Sequence, residues 1–203
     1  ADPVPCCGGE IYPLIVEMQK RGMYPYFILY VSADDMNSNE NMVHTMQGGL
    51  GMGERDYYLE DDAQTKEIRD KYQQHVSKMF QLAGYDEATA RKAVKAVMNI
   101  ETRLAQSARS QVELRDPHAN YNKKTLEELQ KEYPSFAWDV FFSTAGLNNL
   151  KEVNIGQPDA LKEVNAIIDT VSLEDQILYL QWNLINSAAN YLSDDFIAQD
   201  FDF

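Results

Sequence analysis

The sequence is poor in the residue types that most often carry chemistry. Its 203 residues include only two cysteines, Cys6 and Cys7, and three histidines. Adjacent cysteines rarely bond each other, and this pair supports neither a disulfide framework nor a four-ligand zinc site. None of His44, His75 and His118 is spaced from another as in the His-Glu-x-x-His motif of zinc peptidases. We therefore expect no catalytic residue and no metal ligand in this chain.

Basic residues and long apolar runs are also scarce. The chain has 18 lysines and arginines against 32 acidic residues, a formal net charge of −14. Because the phosphate backbone of nucleic acids attracts a basic face, this balance argues against a nucleic-acid partner. The longest stretch without charge, 176–193, contains several amide side chains and is too polar for lipid. We expect no membrane span in this segment.

A dense group of glycines stands out between Gln47 and Leu59. The glycines are Gly48, Gly49, Gly51 and Gly53, and Arg55-Asp56-Tyr57-Tyr58 follows them. The spacing does not fit a nucleotide loop, because a dinucleotide fingerprint requires a small residue at Glu54 and a Walker loop requires Lys-Ser/Thr after its last glycine. Glycines let a backbone pass close to another segment, so we interpret this stretch as a tight crossing point.

The hydrophobic pattern predicts a mainly α fold, a multi-helix domain with a small β-hairpin near the N-terminus. A helix over 10–20 precedes a strand over 26–31, and 42–47 returns beside that strand across a long polar turn from Ser32 to Asn41. After Leu59, apolar stripes with helical spacing dominate. Gly84 and Gly146 are expected to end helices, and Thr125 with Glu128 to form a capping box.

The last long helix is expected to begin at Ser172. It carries two apolar stripes, one through Ile177 and Leu184 and one through Leu178 and Trp182. Two stripes indicate a central helix that is covered on two sides.

Glu101 falls inside the apolar stripe of its predicted helix. An ionised carboxylate there is costly unless it is paired, and Arg55 and Arg115 are the candidate cations. A buried pair that fixes how loops cross helices is the structural interpretation, and a general acid or base is the functional one.

Several of these segments resemble the N-terminal region of the neprilysin-type zinc metalloendopeptidases. The match begins with an apolar strand and Asp34, continues through Gln47-Gly-Gly-Leu50 and Arg55-Asp-Tyr-Tyr-Leu59, and extends over nearly the whole chain. Later matching segments, in order, are Ile100-Glu101-Thr-Arg-Leu104-Ala105, Arg115-Asp116-Pro117, Tyr121-Asn122, Trp138, Gln157-Pro158 and Tyr179-Leu-Gln-Trp182. Gly53 departs from the family, which usually has proline there.

The resemblance implies that residues 1–203 are one fragment of the N-terminal helical domain of such a peptidase. Residues 22–59 would form the strand pair and the glycine-rich crossing, and 60–203 the helical part. The zinc ligands would lie in the missing C-terminal catalytic domain of the same chain, and the helices would limit the access of small peptides. The parent would work outside the cytoplasm. The structural motif residues implied are Asp34, Gln47, Gly48, Gly49, Arg55, Asp56, Tyr57, Glu101, Arg115, Asp116, Asn122 and Trp138.

Two other interpretations remain open at this point. A free-standing helical binding module would use Phe196, Phe201 and Phe203 as a docking surface. An acidic metal-binding protein would use the turn from Asp34 to Glu40, because the part that begins at Asp35 resembles half a calcium loop, although Glu40 replaces the required glycine.

Overall fold

The computed structural model describes residues 11–202, so Cys6 and Cys7, and the predictions about them, lie outside the described residues. Within this range there are nine α-helices and four β-strands, and the predicted mainly α fold is confirmed. The helices are α1 (Ile11–Lys20), α2 (Asp56–Leu59), α3 (Ala63–Leu82), α4 (Glu87–Ser107), α5 (Leu126–Glu132), α6 (Trp138–Thr144), α7 (Pro158–Thr170), α8 (Leu173–Ala188) and α9 (Asp194–Asp202). The strands are β1 (Phe27–Asp34), β2 (Asn37–Gln47), β3 (Lys123–Thr125) and β4 (Glu152–Ile155).

The chain divides into two compact units. The first comprises residues 1–49, described from residue 11, together with 107–170. The second comprises residues 50–106 and 171–203, described to residue 202. The first of the three boundaries in the sequence falls inside the glycine-rich stretch, between Gly49 and Leu50.

The first unit contains a four-stranded sheet with the strand order β1-β2-β4-β3. The predicted hairpin is present as an antiparallel pair of β1 and β2, and β4 adds to β2 in parallel while β3 pairs with β4 antiparallel. The predicted long turn from Ser32 to Asn41 is wrong, because only Asp35 and Met36 separate the two strands. The polar residues of that segment extend the strands instead, and apart from the buried Asp34 their side chains are exposed at the end of the hairpin.

Aromatic rings form the core of the first unit. Trp138, at the start of α6, is fully buried and donates its indole N–H to the carbonyl of Tyr133 at 3.0 Å. Its ring lies 4.2 Å from the ring of Phe136 and 5.8 Å from that of Phe142, measured between centroids. Phe27 of β1 contacts the same group, with its ring 5.9 Å from Trp138. This cluster therefore joins the hairpin to α6.

Two of the predicted helix signals in the first unit, a capping box and a terminating glycine, are present in the structure. Thr125 accepts a hydrogen bond from the backbone N–H of Glu128, and the Glu128 carboxylate accepts one from the N–H of Thr125, which completes the capping box of α5. Gly146 follows α6 with φ +84°, a conformation that glycine adopts at no steric cost.

The second unit is helical. Asp62 caps α3 by accepting from the N–H of Thr65 at 3.0 Å, and Ser172 caps α8 in the same way through Asp175 at 3.2 Å. Gly84 follows α3 with φ +92°.

The two apolar stripes of α8 are covered to different extents within the described residues. Leu178 and Trp182 are buried, whereas Ile177 and Leu184 are 40% and 48% exposed. No helix in residues 11–202 combines the length and hydropathy needed to cross a membrane.

The docking surface expected for a binding module is also incomplete. Phe196 of α9 is buried, because its side chain belongs to the inward face of that helix, whereas Phe201 is 90% exposed. Phe203 lies outside the described residues.

Candidate functional site

A buried carboxylate organises the second unit. Glu101, near the middle of α4, is 1% exposed. Its Oε2 accepts hydrogen bonds from the hydroxyl of Tyr58 at 2.6 Å and from the hydroxyl of Tyr72 at 2.8 Å. The backbone N–H of Gly51 is a further donor. Four separate segments of the chain therefore meet at one side chain: the glycine-rich loop, α2, α3 and α4.

A second layer of donors completes this network. The hydroxyl of Tyr58 accepts from the backbone N–H of Met52 at 3.0 Å, and the hydroxyl of Tyr72 accepts from the indole N–H of Trp182 at 2.8 Å. Each phenol thus donates to Glu101 and accepts from another group, so its hydroxyl is used fully. Buried polar networks are stable when every member is satisfied in this way.

Gly51 is required by the close approach of its backbone to this network. A Cβ built at Gly51 would lie 2.8 Å from the Cζ of Tyr72, closer still to its hydroxyl oxygen, and 3.2 Å from the Oε1 of Glu101. The Tyr72 ring is buried and cannot swing away into solvent. The close approach of the Gly51 backbone to Tyr72 and Glu101 is the tight crossing that the glycine pattern indicates.

Burial is the main cause of the shifted pKa values in this network. Burial raises the pKa of Glu101 from its ordinary 4.5 to about 7, and the donors from Tyr58, Tyr72 and Gly51 limit the rise. Burial, and then the charge of Glu101, raises the pKa values of Tyr58 and Tyr72. Both phenols therefore remain neutral donors at any physiological pH.

The expected arginine partner of Glu101 is replaced by neutral donors. Two phenols, a backbone N–H and an indole stabilise the carboxylate, so the prediction of a buried ion pair is wrong, although the prediction of a buried acid is right. The Nε of Arg55 lies 3.9 Å from the Oδ1 of Asp56. Neutral donors suffice because a carboxylate that accepts several hydrogen bonds recovers much of its lost hydration without a full charge nearby.

Tyr57, the other tyrosine of the motif, points away from the carboxylate and is 37% exposed. Its backbone carbonyl accepts from Arg69 of α3 at 2.9 Å, and the carbonyl of Glu60 accepts from the same guanidinium at 2.7 Å. Arg69 therefore holds the C-terminal end of α2 against α3.

In the first unit, the side-chain amide of Gln47, at the end of β2, pairs with the backbone of Arg109 as a peptide group of a neighbouring strand would. Its side-chain amide donates to the carbonyl of Arg109 at 2.9 Å and accepts from the N–H of Arg109 at 2.8 Å. Its own N–H donates to the side chain of Gln157 at 2.8 Å. A Cβ on the next residue, Gly48, would lie 3.0 Å from the Cγ1 of Ile28, so this position also has little room.

Asn122 fixes the end of the long connection that leads into β3. Its N–H donates to the side chain of Asn154 at 2.7 Å, and its side-chain amide donates to the carbonyls of Ala119 and Ile155 at 3.0 and 2.9 Å. Asn154 also donates to the carbonyl of Asn120 at 3.0 Å. Amide side chains thus tie residues 119–122 to the sheet where no regular ladder is possible.

Asp34 is buried at the end of β1. Its Oδ1 accepts from the N–H of Met36 at 2.9 Å and from the hydroxyl of Tyr121 at 2.8 Å, and the Nζ of Lys123 lies 3.5 Å from Oδ2. The Met36 N–H, followed by the Tyr121 hydroxyl, lowers the pKa of Asp34. Donors and an ammonium group surround this carboxylate, which is opposite to what a calcium ligand needs. The Asp34 carboxylate is therefore not available to the calcium interpretation of this turn.

The structure does not bring all the motif residues together. Arg115 ends a short 3₁₀ helix and is exposed. Asp116 accepts from the N–H groups of His118 and Ala119 at 2.9 and 3.2 Å, which makes it a turn residue. Gly49 has φ +79° and belongs to the first unit, as does Trp138 in its core.

Sequence reasoning missed several residues on which these sites depend, above all Tyr58, Tyr72, Arg109 and Asn154. Tyr58 and Tyr72 lie on apolar helix faces, where a phenol reads as ordinary core. The available signal was Glu101 itself, because a buried carboxylate requires donors. Within residues 11–202, no three histidine, cysteine, aspartate or glutamate side chains are grouped so that they could hold a metal ion.

Comparisons with known proteins agree with the resemblance noted in the sequence. A model of the N-terminal region of peptidase family M13 matches residues 10–203. Endothelin-converting enzyme 1 of Cavia porcellus is 33% identical over 186 residues, which is 88% of this chain and 24% of that protein. The Homo sapiens enzyme of the same name is 32% identical over 185 residues, covering 88% of this chain and 23% of that protein.

Solved structures agree as well. The crystal structure of the Mycobacterium tuberculosis zinc metalloprotease Zmp1 with an inhibitor matches with a TM-score of 0.91 at 28% identity, over 98% of this chain and 30% of that one. The chain belongs to peptidase family M13 and corresponds to its N-terminal part. It spans about a quarter of the length of the curated relatives it matches.

Proposed function

We propose that this chain is the non-catalytic, N-terminal helical part of a zinc metalloendopeptidase that cleaves small peptides, and that its helices limit which peptides reach the zinc. One observation carries the proposal: 98% of the chain matches a solved zinc metalloprotease with a TM-score of 0.91, yet covers only 30% of it. Most of such an enzyme, including its catalytic domain, is then supplied by other sequence.

The hydrogen bonding inside this chain is suited to a rigid barrier. The capped helices and the satisfied networks at Glu101 and Gln47 resist local opening, because each would leave buried polar groups unpaired. A barrier that selects by size must hold its shape while substrates collide with it. The networks thus support a structural use of the motif residues that they contain.

The proposal extends to the domain boundaries and the partners. Residues 1–203 form part of one N-terminal helical domain, and its main partner is the C-terminal catalytic domain of the same chain. That domain supplies the His-Glu-x-x-His ligands and binds the zinc. The intact enzyme acts on peptides outside the cytoplasm, as a secreted, periplasmic or membrane-anchored protein.

Zinc analysis and peptide hydrolysis test whether zinc binding and catalysis belong to the part of the enzyme outside this chain. The 203-residue chain and the complete protein are purified in parallel, and bound zinc and cleavage of a fluorogenic peptide are measured for each. We expect about one zinc per complete protein, with cleavage abolished by a chelator, and neither property in the isolated chain. Stoichiometric zinc and cleavage in the isolated chain would refute the proposal.

A length series tests the limit on access. The complete protein is offered peptides of increasing length that share one cleavage sequence, and finally the same sequence in an exposed loop of a folded protein. We expect kcat/KM to fall steeply above a threshold length and to vanish for the folded carrier. Equal cleavage of the folded carrier and the short peptide would show that the helices impose no size limit.

A further inference from the structure

The four-stranded sheet of the first unit has an opening beside β2. Strand β4 pairs with β2 only from Val43 to Thr45, whereas β2 begins at Asn37 and therefore extends beyond this pairing over residues 37–42. At about 3.3 Å per residue, this extension is about 20 Å long. A space of about 540 Å³, called the edge cleft below, lies beside it. The edge cleft is lined by residues 40–43 and 146–152 together with Val31, Asp34 and Lys123.

Backbone groups of β2 face the edge cleft at Asn41. The carbonyl of Thr45 accepts from the N–H of Gly156 at 2.9 Å, so Thr45 directs its backbone groups toward the β4 side of β2. Asn41 is still in regular register, opposite Ala33 of β1. Because alternate residues of a strand face the same side, the N–H and C=O of Asn41 also point to the β4 side, at a position that the pairing with β4 does not reach.

The outer edge of β1 shows how this chain completes an open strand edge. Gln19 of α1 donates to the carbonyl of Phe27 at 3.0 Å and accepts from the N–H of Leu29 at 2.9 Å, as a neighbouring strand would. Leu29 is the partner of Thr45 across the hairpin, so its outward direction agrees with the direction of Thr45 toward β4. Within residues 11–202, no backbone or side-chain group completes the edge at Asn41 in this way. That edge is therefore open to a ligand.

The segment on the other side of the edge cleft offers amide and apolar groups. The side-chain amides of Asn148 and Asn149 bond to no other residue in the part of the chain that the structure describes. Leu147 and Leu150, in the same segment, are half-buried and line the same space. Ligand sites in proteins commonly measure about 300–1,000 Å³ and combine an apolar lining with a few polar groups. The edge cleft has this size and this composition.

Charges in the edge cleft nearly cancel. The Nζ of Lys123 lies 2.9 Å from the Oε2 of Glu152 and 3.5 Å from the Oδ2 of Asp34. The other two charged side chains of the lining, Glu40 and Lys151, are exposed and opposite in sign. We therefore expect an uncharged ligand, with binding that depends little on salt.

We propose that the edge cleft binds an extended, uncharged peptide, which adds to β2 at Asn41 in line with β4. The peptide exchanges backbone hydrogen bonds with Asn41, and its apolar side chains lie against Leu147 and Leu150. Strand addition of this kind takes its affinity from main-chain hydrogen bonds and its specificity from side-chain contacts. The ligand is a free peptide, because the chain belongs to a peptidase family and such proteins meet peptides as substrates and products. This inference does not depend on where the zinc is bound or on any limit to access.

Hydrogen exchange followed by mass spectrometry tests the edge cleft in the complete protein, with a chelator present so that the probe is not cleaved. The probe is the peptide Ser-Thr-Val-Thr-Leu-Thr-Ser with both ends blocked. We expect a saturating concentration of the probe to slow exchange in the segment 38–44 by tenfold or more. Two control peptides have the same sequence, one N-methylated at its three threonines and the other at its valine and leucine. At least one of them should lose binding, because only one edge of a strand can face β2.

A pair of variants at Asn41 tests the backbone contact from the protein side. Asn41→Pro removes the N–H that faces the edge cleft, and a proline is tolerated where the strand N–H faces away from the ladder. We expect it to weaken probe binding tenfold or more, whereas Asn41→Ala, which keeps the N–H, should bind within about twofold of the wild type. The methylated peptides test the same contact without changing the protein, so the result does not require Asn41→Pro to fold.

Several outcomes would overturn the inference. These are no slowing of exchange in 38–44 by the probe, equal binding of all three peptides, and equal binding by a folded Asn41→Pro and Asn41→Ala. Strong protection of 38–44 before the probe is added would also overturn it. The cleft would then be filled by another part of the complete protein or, if protection rises with protein concentration, by a second copy. None of these outcomes depends on zinc binding or on cleavage, so this inference and the proposed function fail separately.

Discussion

Replacement of Gly51 by alanine is the most direct test of the tight crossing. The added Cβ would lie 2.8 Å from the Cζ of Tyr72 and 3.2 Å from the Oε1 of Glu101, well inside normal contact. Either the Tyr72 ring or the loop must move. Movement of the ring breaks its hydrogen bonds to Glu101 and from Trp182, both 2.8 Å long, and movement of the loop removes the Gly51 donor.

The size of the effect follows from these losses. A hydrogen bond to a charged group contributes about 1.5–3 kcal/mol and a neutral one about 1 kcal/mol. Overpacking adds about 1–3 kcal/mol. We therefore expect Gly51→Ala to lower the free energy of unfolding by about 3–5 kcal/mol. In a protein of this size that corresponds to a melting temperature lower by about 10 °C.

Gly53→Ala is the matched control for Gly51→Ala. Gly53 has φ +80° and no atom within 4 Å of a built Cβ, so its substitution carries only backbone strain, about 1 kcal/mol. Both variants are measured by urea denaturation with circular dichroism. Adding Tyr72→Phe should relieve part of the Gly51→Ala clash, so that the double variant costs at least about 1 kcal/mol less than the sum of the two single changes. If Gly51→Ala costs no more than Gly53→Ala, the close approach does not constrain the fold.

Three further predictions concern other parts of the chain. Gln47→Leu should lower stability by about 2–3 kcal/mol in urea denaturation, because the N–H and carbonyl of Arg109 lose their partner; full stability would contradict the link. Thr125→Ala should cost about 1 kcal/mol in the same assay through loss of the capping box, and an unchanged midpoint would count against it. Burial lowers the pKa of His75 below 6.5, so the wild type should lose stability as the pH falls through that lowered value. In His75→Gln the melting temperature should depend less on pH between pH 4.5 and 7. Equal pH dependence in the two proteins would show that His75 is not the group responsible.

Much of the local structure could be predicted from short stretches of sequence. The capping box at Thr125 and the ends of helices at Gly84 and Gly146 depend on residues within one helical turn, so their physical causes are visible in the sequence. The sequence predicts the hairpin but places its turn too widely, because its polar residues are typical of loops. Asp34 shortens that turn by accepting from the N–H of Met36, a choice that composition alone does not reveal.

Partners distant in the sequence were harder to predict. Glu101 was recognised as a buried acid because its position in an apolar stripe makes burial unavoidable. Its donors were assigned to arginine, whereas the structure supplies Tyr58 and Tyr72, which lie 43 and 29 residues away. Any strong donor can stabilise a carboxylate. The sequence therefore shows that Glu101 needs hydrogen-bond donors, but it does not show which residues provide them. The same holds for apolar contacts, because the stripes of α8 do not reveal that the large apolar residues Ile177 and Leu184 are exposed.

By itself, the sequence determined the long helices, the hairpin, a close backbone approach within the glycine-rich stretch, and the family. These follow from local backbone preferences, hydrophobic periodicity and the order of the motifs. Only the tertiary structure decided that Gly51, Tyr58 and Tyr72 converge on Glu101, that Gln47 binds the backbone of Arg109, and that β4 joins the hairpin in parallel. Such pairings are selected by the packing of segments far apart in the chain, where many alternative partners have similar local chemistry and only one arrangement satisfies every buried polar group.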